Sequence, residues 1–367
     1  MIWFILALWV LGFVLLWRVP VCPDERVVDA PVNISLIIPA RNEEHNLERL
    51  LASVARQSLK PFEIIVVDDE STDRTADVAR KYGAIVLPAP PLPDGWRGKN
   101  WACWQGAQIA CGDAFLFLDA DAILQPGAFE RIHLAYNHGD CRGLSLGPYH
   151  EVQKPYEQLS AVFNLMMFVG MGSFSLTGSP DDPRGLFGPF CLFDRDAYQA
   201  VGGHESVRGE ILENMSFCAL LRGKGFKLRC LGGKGVVHFR MYPDGPASLI
   251  EGWRKAFASG ASKTEPLTLA LTVLWMTGGM LAWMLSMISP LVSFIPPIIT
   301  VTYAAYAISM FIMLRMIGRF TWWSCALYPF LLMAFFIIFF RSAFARKFGG
   351  QVTWKGRTMD AELSKDE

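Results

Sequence analysis

Residues 33–39 read Asn-Ile-Ser-Leu-Ile-Ile-Pro, an apolar run of strand length that ends in a proline. Residues 41–57 then carry leucine and valine at helical spacing, which indicates an amphipathic helix. A second apolar run, Glu-Ile-Ile-Val-Val at 63–67, precedes a helix over 75–82 and a third strand over 84–87. Strands that alternate with helices are typical of an open parallel sheet. The sequence therefore predicts an α/β domain built on such a sheet.

Acidic residues follow the predicted strands at their carboxyl ends, where ligands bind in open parallel sheets. Residues 39–43 follow the first strand, Asp68 and Asp69 follow the second, and Asp-Ala-Asp at 119–121 follows another apolar run at 115–118. Paired acids also occur in solvated turns, but a D-x-D triplet downstream of a D-D pair, each at a strand end, is more specific. Hard divalent cations such as Mg²⁺ or Mn²⁺ bind carboxylate and diphosphate oxygens. The pattern predicts a site for a divalent cation and a nucleotide-diphosphate substrate.

Four stretches, taken in order, resemble the family 2 glycosyltransferases, which have a GT-A fold. They are Ser-Leu-Ile-Ile-Pro-Ala-Arg-Asn-Glu-Glu at 35–44, Glu-Ile-Ile-Val-Val-Asp-Asp-Glu-Ser-Thr-Asp at 63–73, Gly-Lys-Asn at 98–100 and Leu-Asp-Ala-Asp at 118–121. The resemblance implies a Rossmann-like, mostly parallel GT-A domain over residues 31–260, with a nucleotide-sugar half at 31–135 and an acceptor and base half at 136–260. It also implies transfer of a sugar from a nucleotide-sugar, with inversion at the anomeric carbon.

The same resemblance assigns roles to single residues. It places the nucleotide-sugar against Pro39, Ala40, Arg41, Glu43, Asp68, Asp69, Lys99, Asp119, Arg240 and Trp253. Within that set Lys99 is expected near the diphosphate or the sugar. Asp119 and Asp121 are expected to hold the ribose and the Mg²⁺ or Mn²⁺ ion, and turnover is expected to depend on Asp121. UDP-glucose is the default donor by this resemblance.

A catalytic base is expected in the second half, because an acceptor hydroxyl must lose a proton as it attacks. The family usually places this base in a Glu-Asp pair at the start of a helix, and the matching residues here are Glu213 and Asn214. Asparagine cannot act as a base. Glu213 is therefore the predicted base and Glu210 the less favoured one. An impaired enzyme, or an ordinary acidic helix start favoured by the helix dipole, is the alternative.

Two further features of the second half bear on metal binding and on the product. Val-Val-His at 236–238 resembles a strand-end histidine that ligates the metal in many GT-A enzymes, so His238 is a predicted ligand, with a satisfied core histidine as the alternative. Trp253 and Arg254 lie where processive members of the family carry a Q-x-x-R-W box, which is absent here. This absence favours a single transfer, although an aromatic residue beside cations is also typical of a membrane interface.

Long uncharged segments lie at both ends of the chain. Residues 1–17 carry no charge, 267–314 carry none, and 322–340 are again apolar. These lengths predict an uncleaved N-terminal membrane anchor at 1–18, with a signal peptide as the alternative, membrane helices at 266–341, and a cytosolic tail at 342–367. The prediction is a multi-pass protein of the cell membrane with a cytoplasmic catalytic domain. Since a third full span would export the basic tail, either 322–340 is re-entrant or in-plane, or one span is miscounted.

A proline-rich segment narrows the resemblance to one branch of the family. Residues 88–99 contain Pro-Pro-Leu-Pro and then Asp-Gly-Trp-Arg-Gly-Lys, which predicts a loop. Together with the tail motif Trp-Lys-Gly-Arg at 354–357, this string resembles the membrane-bound branch that includes bacterial carotenoid-acid glycosyltransferases and, more distantly, ceramide glucosyltransferases. A lipophilic acceptor is implied, either a carotenoid acid or a glycerolipid or sphingolipid-like alcohol. The Phe- and Met-rich stretch 143–190 either flanks a lipid entrance or forms ordinary core.

The overall composition argues against several classes of function. The 34 Lys and Arg residues balance the 34 Asp and Glu residues, so no basic excess points to nucleic acid. The eight cysteines form no C-x-x-C pair and no zinc-like spacing, which favours reduced thiols in the cytoplasm. Two alternatives to a lipid glycosyltransferase stay open. One is a polysaccharide or exopolymer synthase, and the other is a catalytically silent relative that binds nucleotide-sugar, which Asn214 favours.

Overall fold

The strands of the α/β region are short, and the central ones of its main sheet are almost entirely buried. The computed structural model describes residues 1–25, 31–253, 264–292, 297–347, 352–354 and 357–359. The strands in it are β1 (Ile34–Ala40), β2 (Glu63–Asp68), β3 (Ile85–Pro88), β4 (Ala114–Leu118), β5 (Ala122–Leu124), β6 (Cys141–Gly147), β7 (Tyr149–His150), β8 (Phe190–Asp194), β9 (Lys227–Gly232), β10 (Val237–Phe239), β11 (Val352–Trp354) and β12 (Arg357–Met359).

Seven of the described strands form the main sheet, in the order β3-β2-β1-β4-β8-β6-β9. β3, β2, β1 and β4 are parallel to one another, β8 is antiparallel to both of its neighbours, and β9 is parallel to β6. This arrangement confirms the predicted mostly parallel α/β sheet. A small second sheet has the order β5-β10-β7, so β5 directly continues the chain from the D-x-D triplet into a different sheet.

The helices connect the strands and cover both faces of the main sheet. They are α1 (Ile2–Leu15), α2 (Glu44–Ala55), α3 (Thr75–Lys81), α4 (Gly98–Ile109), α5 (Ala128–Tyr136), α6 (Ala161–Gly170), α7 (Arg195–Ala200), α8 (Glu213–Gly223), a helical segment over 246–253 (α9), α10 (Pro266–Ile288), α11 (Ile299–Ile317), α12 (Trp322–Ala326) and α13 (Tyr328–Lys347). The predicted loop 88–99 is shorter than expected. Its last two residues begin α4, because the amide of Trp101 already donates to the carbonyl of Arg97 at 2.8 Å.

Two described helices are long and apolar enough to cross a membrane: α10 with its short continuation, Pro266–Leu291, and α11. The predicted anchor is a shorter helix, α1, which packs against α10 and α11. Trp9 donates from its indole nitrogen to the carbonyl of Ala305 and to Ser309 Oγ, both at 3.1 Å. Gly278 of α10 leaves room for Leu8, since a Cβ there would lie 2.6 Å from Leu8 Cβ. The N-terminal helix is therefore packed with the later apolar helices.

The apolar segment predicted at 322–340 is broken into two helices. α12 ends at Ala326, and α13 begins at Tyr328, just before Pro329. Large apolar side chains remain exposed across the apolar helices, including Trp322 of α12 at 71%, Leu267 of α10 at 64% and Leu291, just after α10, at 84%. Exposed apolar surface of this extent is typical of a contact with membrane or with protein.

The Phe- and Met-rich stretch forms core. α6 packs against α11 and α13, and Phe163, Phe168, Met171 and Phe174 are all buried. Met166 and Met167 are partly buried against the same cluster. The core-packing alternative therefore holds for these residues, and α6 joins the α/β region to the apolar helices.

Candidate active site

The carboxyl ends of β1, β2 and β4 open into one cavity of about 380 Å³. Nine of the residues predicted from the sequence line it: Pro39, Ala40, Arg41, Glu43, Asp69, Lys99, Asp119, Asp121 and Glu213. The lining also includes Arg97, Gly98, Asn100, Ala102, Ala120, Glu210 and Ile211. Four predicted residues, Asp68, His238, Arg240 and Trp253, are not part of this lining.

The loops after β1 and β2 brace each other and form one wall of the cavity. The amide of Asn42 donates to Ser71 Oγ at 3.0 Å, and the amide of Thr72 donates to Asn42 Oδ1 at 2.8 Å. Asn42 has a φ of 53°, a left-handed conformation that asparagine tolerates better than most residues. The amide of Glu43 donates to Thr75 Oγ1 at 2.8 Å. These cross-links fix the wall before any ligand arrives.

The two aspartates at the end of β2 have different surroundings. Asp69 is buried and faces the cavity, where Arg41 donates to its backbone carbonyl at 2.9 Å and lies 3.8 Å from its carboxylate. Asp68 accepts a hydrogen bond from the amide of Ser71 at 3.1 Å. Asp68 therefore supports the loop, and Asp69 is the member of the pair that a ligand in the cavity would meet.

Lys99, in the first turn of α4, lies at the centre of the site. Its Nζ is 2.8 Å from Asp119 Oδ1 and 3.3 Å from Glu213 Oε1, and it donates to the carbonyl of Gly188 at 3.2 Å. Burial alone would lower the pKa of Lys99, but the carboxylates of Asp119 and Glu213 outweigh it and hold that pKa well above its usual value. The ammonium therefore stays charged, and it joins the end of β4 to the start of α8.

The charges that line the cavity are mixed, with acids in excess. Six carboxylates line it, from Glu43, Asp69, Asp119, Asp121, Glu210 and Glu213, against the three cations Arg41, Arg97 and Lys99. Among the described residues, no group of three or more His, Cys, Asp or Glu side chains is arranged to hold a metal ion by itself. Two carboxylates of a D-x-D triplet still fit a hard cation whose remaining ligands are substrate oxygens.

α8 begins at Glu213, and its first two residues have different roles. The Glu213 carboxylate points into the cavity beside Lys99 and its side chain is 11% exposed. The side-chain amide of Asn214 is buried and donates to the carbonyl of Leu186. A Cβ added at Gly188 would lie 3.4 Å from oxygens of both side chains, so a glycine allows this close approach. Asn214 thus anchors the loop before β8.

Asn100 holds a loop of the site in place, a role that the sequence did not reveal. Its buried amide donates to the carbonyls of Val207, Arg208 and Glu210 at 2.9, 3.2 and 3.1 Å. These bonds fix the loop that brings Glu210 and Ile211 to the cavity. The motif Gly-Lys-Asn at 98–100 was the available signal, but nothing local to it identifies acceptors more than a hundred residues away.

Both ring nitrogens of His238 are occupied within the protein. Nδ1 lies 2.8 Å from Glu151 Oε1, and the amide of Gly235 donates to Nε2 at 3.2 Å. Nε2 is therefore the unprotonated nitrogen, and Nδ1 carries the proton that it donates to Glu151. Burial lowers the pKa of His238, and Glu151 partly opposes the shift. The arrangement places the imidazole with a carboxylate partner and outside the cavity lining.

Arg240 and Trp253 are also engaged in packing. Arg240 donates to the buried carboxylate of Glu157 at 3.0 and 2.6 Å. Trp253 is fully buried, stacks on Phe163 at 4.7 Å and donates to Ser160 Oγ at 3.1 Å. The neighbouring Arg254 lies outside the described residues, as do Lys355 and Gly356 of the tail motif.

The comparisons with known proteins agree with this geometry. Residues 35–202 match the family described as Glycosyl transferase family 2. The chain is 39% identical to a 4,4'-diaponeurosporenoate glycosyltransferase of Staphylococcus haemolyticus, over 89% of this chain and 88% of that one. It is 38% identical to the protein of the same name from Staphylococcus aureus (strain MRSA252), over 88% of this chain and 87% of that one. A mannosyltransferase from Pyrobaculum calidifontis, solved with GDP-Man and Mn²⁺, shares the fold with a TM-score of 0.53 at 17% identity, over 91% of this chain and 94% of that one. The chain therefore belongs to the family 2 glycosyltransferases and is a glycosyltransferase of GT-A fold.

Proposed function

We propose that this glycosyltransferase moves a sugar from a nucleotide-sugar to a carotenoid acid at the membrane. The observation that carries the proposal is the cavity at the strand ends, where Lys99 lies between Asp119 and Glu213 with Asp121 beside them. The choice of acceptor is supported by relatives that are 38–39% identical over most of the chain and carry a carotenoid acid in their name.

The donor half of the cavity suits a nucleoside diphosphate. We assign the nucleoside to the wall formed by Pro39, Ala40, Arg41, Glu43 and Asp69, with Asp68 supporting the loop from behind. UDP-glucose is the proposed donor. Two observations support this assignment: the family resemblance, and the wall that hydrogen bonds between the two loops already hold in place.

Asp119 and Asp121 are the proposed holders of a Mg²⁺ or Mn²⁺ ion together with the diphosphate. Their carboxylate oxygens are the donor type that such ions prefer. A bound cation would neutralise negative charge on the departing diphosphate. Lys99, which stays protonated, supplies a fixed positive charge at the same place. His238 would join as a ligand only after its ring left Glu151 and Gly235.

The transfer can be written without a cofactor other than the cation. An oxygen of the acceptor carboxylate forms a bond to the anomeric carbon from the face opposite the diphosphate. The bond from that carbon to the diphosphate oxygen breaks, and its electron pair leaves with the nucleoside diphosphate. Because a carboxylate is already ionised at neutral pH, no proton has to be removed. With an alcohol acceptor, Glu213 is the proposed base, since it lies in the cavity beside Lys99.

The apolar helices are proposed to hold the protein in the cell membrane with the catalytic region on the cytoplasmic side. α10 and α11 have the length and composition for crossing, and exposed residues such as Leu291 and Trp322 provide the apolar surface. A lipophilic acceptor would then reach the enzyme from the bilayer. The missing Q-x-x-R-W box favours one transfer over polysaccharide synthesis.

The test is nucleotide release by the full chain purified in detergent. UDP- and GDP-sugars are supplied with Mn²⁺ or Mg²⁺, with and without a carotenoid acid. We expect release that needs both the cation and the acid, and that disappears in Asp121→Asn. Metal-dependent nucleotide binding without release under any combination would instead favour the catalytically silent alternative.

A further inference from the structure

We propose that residues 318–324, which run from the end of α11 into the first turn of α12, form a clasp that positions Asp121 for donor binding. The inference rests on the proposed function for the role of Asp121, and on contacts within the described chain for the clasp itself. On this proposal the apolar helices contribute to the arrangement of the active site, and Arg319 and Gly318 are positioning residues.

The clasp extends the small sheet as a further edge. Gly318 forms a parallel bridge with His150 of β7, and the amide of Arg319 donates to the His150 carbonyl at 2.8 Å. β7 pairs with β10, and β10 pairs with β5 so that Phe239 lies opposite Ala122. Ala122 directly follows Asp121. Backbone pairing therefore runs without interruption from the end of a candidate membrane span to the D-x-D triplet.

A second line of contacts runs through side chains across the same strands. Arg319 Nε lies 3.3 Å from one oxygen of Glu151, and the other oxygen lies 2.8 Å from His238 Nδ1. The third contact is the hydrogen bond from the amide of Gly235 to His238 Nε2. The Glu151 side chain is 19% exposed, and each of its carboxylate oxygens has its own partner.

The rest of the clasp is packed into the catalytic region. Phe320 is 1% exposed, with its ring centroid 5.3 Å from that of His150. The amide of Thr321 and the hydroxyl of Ser324 both donate to Gln158 Oε1, at 3.3 and 2.9 Å. At Gly318 a Cβ would lie 3.0 Å from the Cβ of His150, so the close approach of the two backbones favours a glycine.

This placement matters because the two carboxylates of the triplet belong to different sheets. Asp119 directly follows β4 of the main sheet, and its amide donates to the carbonyl of Pro189 at 3.0 Å. Asp121 leads into β5 of the small sheet. A metal held by both carboxylates needs a fixed distance between them. Anything that shifts the small sheet therefore shifts Asp121 relative to Asp119.

The experiment compares Arg319→Ala with Arg319→Lys and with a matched control, Arg315→Ala. Arg315 lies one turn earlier on α11 and is exposed, and within the described residues the structure gives it no ion pair to Glu151. The first readout is amide hydrogen exchange of residues 119–124 in the detergent-solubilised full chain. We expect Arg319→Ala to speed exchange there, while Arg319→Lys and Arg315→Ala leave it as in the wild type.

The second readout is binding of UDP with and without Mn²⁺. Mutations along a coupled network change affinity by about 2- to 30-fold, and we expect Arg319→Ala to weaken the Mn²⁺-dependent affinity within that range. UDP binding in excess chelator should stay the same as in the wild type. A general loss of folding would weaken UDP binding with and without Mn²⁺, so this measurement separates the two causes. Gly318→Val is expected to have the same effect, and stronger.

Two results would overturn the inference. One is faster exchange confined to residues 149–151 and 318–324 with 119–124 unaffected. The other is an equal effect of Arg315→Ala. Failure of the proposed function has a different signature, namely a wild type that releases no nucleotide with any sugar donor and acid. In that case the exchange measurement still decides whether the clasp positions Asp121.

Discussion

Asn214→Asp restores the acid that the family usually has at this position, and the structure predicts a loss from the change. The side-chain amide of Asn214 donates to the carbonyl of Leu186, and the residue is 5% exposed. An ionised aspartate accepts hydrogen bonds but cannot donate one. The Leu186 carbonyl would therefore face a buried negative charge, beside the carboxylate of Glu213.

The expected loss of stability has two contributions, the Leu186 carbonyl that loses its donor and the new buried charge at position 214. A buried acceptor left without its donor costs about 1–3 kcal/mol, and burial of an unpaired charge adds to this. We expect a loss of roughly 3 kcal/mol in the free energy of unfolding. This corresponds to a melting temperature lower by about 5–10 °C. Turnover should fall as well, because the displaced loop carries the Gly188 carbonyl that holds Lys99.

The assay is thermal unfolding in detergent together with nucleotide release at saturating donor. Asn137→Asp is the matched control, since it adds the same charge at an exposed position at the end of α5. The control should leave turnover within the error of the wild type and should lower the free energy of unfolding by no more than about 1 kcal/mol, the usual effect of a negative charge at a helix C-terminus. Higher turnover of Asn214→Asp at unchanged stability would refute the reasoning and would mean that Asn214 impairs the natural chain.

Four other changes test separate parts of the site and the fold. Asp121→Asn should reduce release by at least about 100-fold and abolish its dependence on Mn²⁺, as measured by a metal titration. Glu213→Gln should lower the rate of transfer to an alcohol acceptor about 100-fold or more, but the rate of transfer to a carotenoid acid only about tenfold, since only the alcohol needs a base. Equal losses of rate in a side-by-side assay would contradict this. Burial lowers the pKa of His204 to about 3, so the unfolded chain binds more protons between pH 6.5 and 3 and stability falls as pH falls. At pH 5 the loss is about 2 kcal/mol relative to pH 7.5, and His204→Asn should flatten this slope in melting curves. Gly278→Leu should overpack the α1 contact and lower the melting temperature, whereas Gly170→Ala, where a Cβ meets nothing within 4 Å, should not.

The strand-end wall of the cavity was predictable because its signals are local. Each parallel strand is a continuous apolar run, and the polar residues at its end are its immediate neighbours in sequence. Once β1, β2 and β4 lie side by side, the residues that follow them must meet at one edge. Asp69 and Asp119 therefore line the same cavity, and Lys99 reaches it from the first turn of α4. Asp68 differs from Asp69 because neighbouring residues along a strand point to opposite faces.

The second half was less predictable because its side chains are paired across long sequence distances. His238 lies 87 residues from its partner Glu151, and Arg240 lies 83 residues from Glu157. A histidine at the end of a strand has the same local sequence whether a metal or a carboxylate binds it. The break at Leu327 between α12 and α13, and the packing of α1 on α10, likewise depend on tertiary contacts. A hydropathy pattern carries no information about such contacts.

The pair Glu213 and Asn214 shows how the two kinds of information combine. From sequence alone, asparagine at the second position indicated either a substitute base or an impaired enzyme. The structure gives that asparagine a role in holding Leu186, and gives the glutamate an ion pair with Lys99. On the proposed function the nucleophile is a carboxylate, which needs no base to ionise it. A chain with such an acceptor is free to use position 214 for packing, so on the proposed function an asparagine there agrees with an active enzyme.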